Sequence, residues 1–549
     1  MALRIASKAA PQRAQCLIHG IQKASTRQLS SSNRILQQEP NTARPDQFDD
    51  FFDRPKPREK AARDHYSDTF TQSNGIEKAS DYATRHLRLK HKVNPARQRT
   101  PRPKATPEPN AVKIERFGET HELSPLLLRD LCQCSLCVDS STRQKHFATV
   151  DIPLDIAPKA VRVDETHVHI SWSNDVPGLD ENHITSIPLS TIDNIIENGN
   201  PVKPRQPLPR ALWDAKSYTE ETRDFDYEAY MNDDSTLYAA LKQLETHGLL
   251  FITKVPESAE SVETLAQRIG PLKTTFYGKT WDVRSVPEAK NVAYTSQNLG
   301  FHMDLMYMKQ PPHLQLLHCI RSSAAGGASL FSDSFRAIEN MARRNFADFT
   351  TLSRIPATYH YDHADHYYHQ RRPVIEQRRF QVGPTWFQDF SDFAIFKTKR
   401  KDIEDRMPNL TVMDFVDHVA WSPPFQGPFS VSSIDTARYG PPEQFLNLAI
   451  RNWHAAAQRF NDLIHLPENV YERMMKPGEC VIFDNRRVLH ARRAFEVGDA
   501  GKERWLRGAY IDKDPFLSKL KVMEDERKGA GQDDVTAEVQ AEEPAVAVA

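Results

Sequence analysis

The chain has 549 residues, enough for two or three domains, and 72 basic against 73 acidic side chains leave a formal net charge of −1. That balance gives no bulk positive field of the kind that draws nucleic acid. No apolar run approaches the ~20 residues that cross a bilayer as a helix, so no membrane partner is expected.

Residues 1–38 carry Arg4, Lys8, Arg13, Lys23, Arg27 and Arg34, the run Ser30, Ser31 and Ser32, and no acid before Glu39. A basic, serine-containing, acid-free segment has the composition of a mitochondrial transit peptide; a secretory signal would need a continuous apolar stretch. The expected location is therefore the mitochondrial matrix. Residues 39–110 are rich in Pro, Lys, Arg and Asp and read as a disordered linker. Residues 111–200 read as a small β-rich domain, with alternating, β-branched strands at 112–117, 160–163 and 167–172. A Pro-rich linker, 201–229, follows. Residues 230–523 form the larger unit, with an amphipathic helix at 237–247 and strands at 248–252, 313–319, 479–483 and 504–511. The Ala-, Glu- and Val-rich end, 524–549, reads as a disordered tail. Many strands with a few leading helices give an α+β class built on a β-barrel or sandwich.

Six cysteines in so long a chain make no disulfide framework. Three of them, however, fall within six residues: Cys132, Cys134 and Cys137. Three thiolates and one further ligand suit a tetrahedral structural zinc. His183 is the preferred fourth ligand, with His121 and His146 compatible by spacing. Cys134 and Cys137 also make a CxxC pair, but no thioredoxin-like βαβ pattern surrounds it.

His302 and Asp304 are two apart, so on a strand they share a face. With a distant His490 they make the two-histidine, one-carboxylate set of non-haem Fe(II) oxygenases. The HxD pattern also occurs at His360 and Asp362 and at His363 and Asp365. The preferred copy has Gly300 and Phe301 before it and Pro311, Pro312 and a strand after it. In 504–510, period two puts Arg504, Leu506, Gly508 and Tyr510 on one face and Trp505, Arg507 and Ala509 on the other. If the first face looks inward, Arg504 needs an anion, and a dicarboxylate would bind its guanidinium in a two-pronged contact. A structural salt bridge is the competing role for Arg504. Arg492 and Arg493 stand too close to His490 to be preferred.

These blocks together resemble the γ-butyrobetaine dioxygenase family, among the 2-oxoglutarate/Fe(II) oxygenases of the taurine dioxygenase type. The likeness runs over 111–523 and includes 275–281 (Thr-Phe-Tyr-Gly-Lys-Thr-Trp), 291–294 (Asn-Val-Ala-Tyr), 300–304, 311–319, Gly326, Gly327, 483–485 and 504–510. It implies a double-stranded β-helix (jelly-roll) core and a small N-terminal zinc domain, with His183 as the fourth zinc ligand. It further implies Fe(II) on His302, Asp304 and His490, kept reduced by ascorbate, and 2-oxoglutarate on Arg504 with Asn291 and Leu317 lining its site. O2 as co-substrate and a homodimer come with the same resemblance. Tyr277, Trp281, Tyr294 and Tyr510 match the positions that cage a trimethylammonium group, which has no N–H and must be read by π faces. The chain departs from the animal enzyme at Leu305 and at 421–429, near the place of the substrate carboxylate. The expected reaction is hydroxylation of a trimethylammonium carboxylate, γ-butyrobetaine, to L-carnitine. A trimethyllysine dioxygenase, an oxygenase for a related quaternary ammonium, and a catalytically silent dimeric scaffold are the rival readings.

Overall fold

The computed structural model of the chain describes residues 104–529, without 109, 180–181, 203–204, 285–294, 324, 383–384, 401–408, 430–441 and 497–503. The expected transit peptide, the linker as far as 103 and the tail from 530 lie outside the described residues.

Strands β1 (Ala105–Glu108), β2 (Ala111–Arg116) and β3 (Glu119–Leu123) form one antiparallel sheet, and β4 (Pro158–Val163), β5 (His167–Trp172) and β6 (Ile184–Pro188) form another. Alternation turns Val112 and Ile114 of β2, and Val168, Ile170 and Trp172 of β5, into one shared core. Ile192 and Ile195 of the helix Leu189–Asn198 close that core. Strand β1 lies inside the interval expected to be disordered. It pairs with β2, Ala105 opposite Ile114, through backbone hydrogen bonds, and Ala105 is its one residue packed against the core.

In the larger unit, β7 (Phe225–Asp226), β8 (Leu249–Thr253), β9 (Thr280–Arg284), β10 (Leu299–His302), β11 (Leu314–Arg321) and β12 (Ser329–Asp333) precede a hairpin of β13 (Ala357–Asp362) and β14 (Tyr367–Arg372). β15 (Ile375–Gln377), β16 (Phe380–Val382), β17 (Thr385–Phe387) and β18 (Val416–Val419) make two short ladders. β19 (Tyr471–Arg473), β20 (Glu479–Asp484), β21 (Val488–Arg492) and β22 (Trp505–Ile511) then return to the core. That core is a jelly roll of two sheets, ordered β7-β8-β20-β11-β22-β9 and β10-β21-β12-β19.

Period two divides the core residues between layers. Val481 and Phe483 of β20 face the other sheet, where the Phe483 ring centroid lies 5.8 Å from that of Phe331 on β12. Cys480 and Ile482 face outward under Leu241, Leu265 and Leu520, one from each of the helices Asp234–His247, Ser261–Ile269 and Lys513–Gly529. Each such buried leucine contributes roughly 2 kcal/mol by leaving water. The helices Ser334–Arg344, Phe346–Arg354 and Pro442–Ile464 cover the smaller sheet.

Two expected boundaries move. The stretch 201–229 is not a free linker: Trp213 is buried, and its indole donates to the His247 carbonyl at 2.6 Å. Asp214 and Asp226 cap the helices Ala215–Glu221 and Tyr227–Asn232 within or from that stretch. Single anchors such as Trp213 and Tyr218 are lost when composition is averaged over a Pro-rich segment. At the other end, the helix Lys513–Gly529 runs past 523 into the expected tail. Glu524 binds Arg205, and the Arg527 guanidinium lies 4.5 Å from the Tyr238 ring centroid, contacts that composition does not reveal.

Candidate active site and cysteine cluster

β10 and β21 are antiparallel neighbours with His302 directly opposite His490, and the two imidazole centroids lie 4.1 Å apart. The strand stops at His302, so Asp304 is not on the strand face that its spacing predicted. Instead the buried amide of Asn485 captures the Asp304 backbone at both ends. Its Oδ1 accepts from the Asp304 N–H at 2.8 Å, and its Nδ2 donates to the Asp304 carbonyl at 2.9 Å. Leu305, at φ 62°, then turns the chain away. The result brings Asp304 Oδ1 to 3.4 Å from His302 Nε2 and 3.9 Å from His490 Nε2.

The remaining atoms of this trio are already committed. His302 Nδ1–H donates to the Gly300 carbonyl at 2.9 Å, which leaves Nε2 with its lone pair. Asp304 Oδ2 accepts from Gln315 Nε2 at 2.8 Å and from the Tyr510 hydroxyl at 2.7 Å. Burial alone would raise the Asp304 carboxyl, but the neighbouring His302 and His490 and the Tyr510 bond hold it below the usual carboxylate range. Burial, helped by His302, pushes the His490 imidazole down to about 3. Two imidazole nitrogens and one carboxylate oxygen, all within 4.8 Å of one another, fit a first-row divalent ion with open positions.

The trio opens on a cavity whose floor is β22. Arg504, Leu506 and Tyr510 line it, while Trp505 and Arg507 turn outward to Asp282 at 2.7 and 2.8 Å. Gly508 belongs to the inward face, and a Cβ there would fall 2.4 Å from the Trp281 ring. The indole therefore lies on bare backbone, stacked on Tyr510 with centroids 4.0 Å apart. Tyr277, Tyr307 and Phe425 line the same cavity. Arg504 is 5% exposed, and its Nη1 has no hydrogen-bond partner. Burial pushes it below the usual guanidinium range. A buried, unpartnered guanidinium nitrogen in a cavity wall fits a ligand carboxylate.

Leu317 lines the cavity, whereas Asn291 and Tyr294 lie outside the described residues. The cavity wall also includes Gln315, Tyr307 and Arg492, which sequence reasoning passed over. For two of them the signal was present: Gln315 is two residues from Leu317 on β11, and Arg492 is two from His490 on β21, so each pair shares a face. The other HxD copies fall on and beside the β13–β14 hairpin, where Tyr361, His366 and Tyr368 pack around Phe276 at 5.0, 4.8 and 5.1 Å. Among the described residues neither copy joins a cluster of three ligands.

In the N-terminal domain the helix Pro125–Asp130 leads into the cysteines. The sulfurs of Cys132, Cys134 and Cys137 lie 3.5, 3.3 and 3.4 Å from His183 Nε2. His183 Nδ1–H donates to Asp175 at 2.8 Å, and Arg129 holds the other oxygen of that carboxylate. This orients Nε2 as a lone-pair donor backed by a carboxylate. Burial pushes the Cys137 thiol up to about 12. At Cys134 burial acts the same way but is outweighed by hydrogen bonds with His183 and Cys132, which bring it down to about 7. Neither His121 nor His146 belongs to the cluster.

The family model described as "Taurine catabolism dioxygenase TauD, TfdA family" matches residues 205–510, and "Gamma-butyrobetaine hydroxylase-like, N-terminal" matches 108–179. The chain is 35% identical over 413 residues to "Dioxygenase str8" of Strobilurus tenacellus, covering 72% of this chain and 84% of that protein. It is 28% identical over 423 residues to gamma-butyrobetaine dioxygenase of Homo sapiens, covering 75% and 94%. Against mitochondrial trimethyllysine dioxygenase of Rattus norvegicus it is 26% identical over 398 residues, covering 72% and 81%.

Proposed function

The chain belongs to the TauD/TfdA family and is a 2-oxoglutarate-dependent dioxygenase; from that premise we propose that it hydroxylates a small trimethylammonium carboxylate, γ-butyrobetaine, to L-carnitine. The observation that carries the substrate class is the aromatic wall beside the His–Asp–His trio: Trp281 stacked on Tyr510, with Tyr277 and Tyr307 lining the same cavity. A quaternary ammonium has no N–H to donate, so it is recognised by π faces in a place that excludes water, each desolvated contact worth ~2 kcal/mol or more.

In this reading His302, Asp304 and His490 hold Fe(II). Bound there, iron supplies the redox chemistry that couples O2 to oxidation of 2-oxoglutarate and to hydroxylation of a C–H bond. Gln315 and Tyr510 hold Asp304 Oδ2, so that Oδ1 is the oxygen presented beside the two imidazoles. Arg504 pairs with the distal carboxylate of 2-oxoglutarate, with Arg492 in the same wall and Leu317 against the carbon chain. Asn291 and Tyr294 keep their proposed roles at the co-substrate and in the cage. The aromatic wall fixes which substrate carbon faces the metal, where a ~1 Å error can cost on the order of 100-fold in rate. Cys132, Cys134, Cys137 and His183 hold a structural zinc. A homodimer in the mitochondrial matrix completes the proposal, in line with the basic, acid-free residues 1–38.

The test is product analysis. Protein is incubated with Fe(II), ascorbate, 2-oxoglutarate and either γ-butyrobetaine or trimethyllysine, and products are read by mass spectrometry. L-carnitine is the expected product. Hydroxylation of trimethyllysine alone would reassign the substrate, and succinate formed equally with and without either amine would overturn the trimethylammonium reading. No succinate at all from iron-loaded protein would favour the scaffold.

A further inference from the structure

A second cavity, of about 790 Å³, shares no lining residue with the first. That volume lies in the range of ordinary small-molecule sites, ~300–1,000 Å³. Its wall carries nine arginine and lysine side chains against six carboxylates. Several of these are already neutralised: Arg205 by Glu245 and Glu524, Arg487 by Asp333, and Lys521 by Asp525. On the acidic side, Asp512 is bound by Lys273 from outside the cavity.

Asp417 and Asp484 stand in the same wall and act on Arg210 and Arg486 through space, yet three guanidiniums have no carboxylate within hydrogen-bonding distance. Arg210 Nη1 donates to the carbonyls of Met413 and Val416, at 3.3 and 2.7 Å, which satisfy hydrogen bonds without cancelling charge. Arg378 Nε donates to the Asp414 carbonyl at 2.7 Å. Arg486 reaches Glu376 only at 3.8 Å, and that carboxylate is already shared by Arg372 at 3.2 Å and His418 at 2.8 Å. The Arg486 Nε is buried and has no hydrogen-bond partner. Burial, and next the charges of Arg487 and Arg378, push Arg210 down to about 10, and burial pushes Arg486 to about 10 as well. Phe516, whose ring lies 5.5 Å from His313, and Leu517 give the wall an apolar side.

We propose that this cavity is a binding site for a small polyanion, an organic molecule with two or more phosphate or carboxylate groups, held by Arg210, Arg378 and Arg486. Its position ties it to the iron loop. Arg486 follows Asn485, which holds the Asp304 backbone, and Arg372 Nη2 donates to the carbonyls of Met308 and Lys309 in the loop after Asp304. An occupant would bear on the segment that carries the metal-ligating carboxylate.

Calorimetric titration of the full chain with tripolyphosphate and with citrate, at constant ionic strength, tests this. Saturable binding of one probe molecule per chain is expected. Arg378→Gln and Arg486→Gln should each weaken it about tenfold, as loss of one charge-assisted contact does. Arg378 is exposed, so its variant separates lost binding from lost folding. Arg504→Ala, which empties the catalytic cavity of its unpartnered guanidinium, should leave the binding intact. Tighter binding of tripolyphosphate would identify the natural groups as phosphates, and tighter binding of citrate as carboxylates. Failure of both probes to saturate at millimolar concentration, or binding lost in Arg504→Ala and kept in both glutamine variants, would overturn the proposal.

Discussion

Tyr510 gives its ring to the aromatic wall and its hydroxyl to Asp304, and Tyr510→Phe separates the two. The substitution keeps the stack on Trp281 and deletes the 2.7 Å bond to Asp304 Oδ2. A hydrogen bond to a charged group contributes roughly 1.5–3 kcal/mol. Gln315 still donates to the same oxygen at 2.8 Å, so the carboxylate keeps a partner and the lower end, ~1.5 kcal/mol, applies. That is about tenfold in metal dissociation constant. Anaerobic titration with Co(II), whose visible absorption reports its coordination, measures this directly, and a parallel assay gives the KM for γ-butyrobetaine. Metal affinity should fall about tenfold while KM stays close to wild type, because the π face remains. Adding Gln315→Leu strips Oδ2 of its second donor, so the double variant should lose more affinity than the two single losses combined. Wild-type Co(II) affinity with a KM raised about tenfold would refute the reasoning, since the hydroxyl would then be reading the substrate.

Four further outcomes follow from the same geometry. Arg504→Ala should raise the KM for 2-oxoglutarate by about 100-fold, the effect of ~3 kcal/mol for one half of a buried charge pair, with Arg504→Lys recovering part of it; succinate formation against co-substrate concentration reads this. Gly508→Ala should displace Trp281, lowering stability by ~1–3 kcal/mol in thermal melts and weakening amine binding in the same protein. Cys134→Ser should release zinc, measured by elemental analysis, and lower the melting temperature, because metal binding and folding of such a site are linked. His302→Ala should abolish Co(II) binding while His363→Ala leaves it unchanged; the reverse result would move the metal to the hairpin.

Strand period was the most legible signal. It sorted 504–510 into two faces, and the structure puts Arg504, Leu506 and Tyr510 in the cavity wall and Trp505 and Arg507 outside it. The same rule puts Arg492 on the face of His490, and it lines the cavity despite standing only two residues away. Spacing alone did not show how Asp304 is held. Its backbone is fixed by an asparagine 181 residues away, and a side chain that captures a distant backbone leaves no local periodicity. The stretch 201–229 failed for a related reason, because one buried tryptophan fixes it while its average composition is that of a linker.

Trp281 and Gly508 are register partners on adjacent strands. The indole is thus seated on the neighbouring strand's main chain, and its place in the aromatic wall is set by the spacing of hydrogen-bonded strands, about 4.8 Å, rather than by rotamer choice alone. Main-chain spacing is nearly incompressible, so exchanges of neighbouring side chains can change the polarity of the wall but hardly the place of this ring. With Gly508 kept, a change in the place of this ring therefore needs a shift in the β9 register, a larger step than a point substitution.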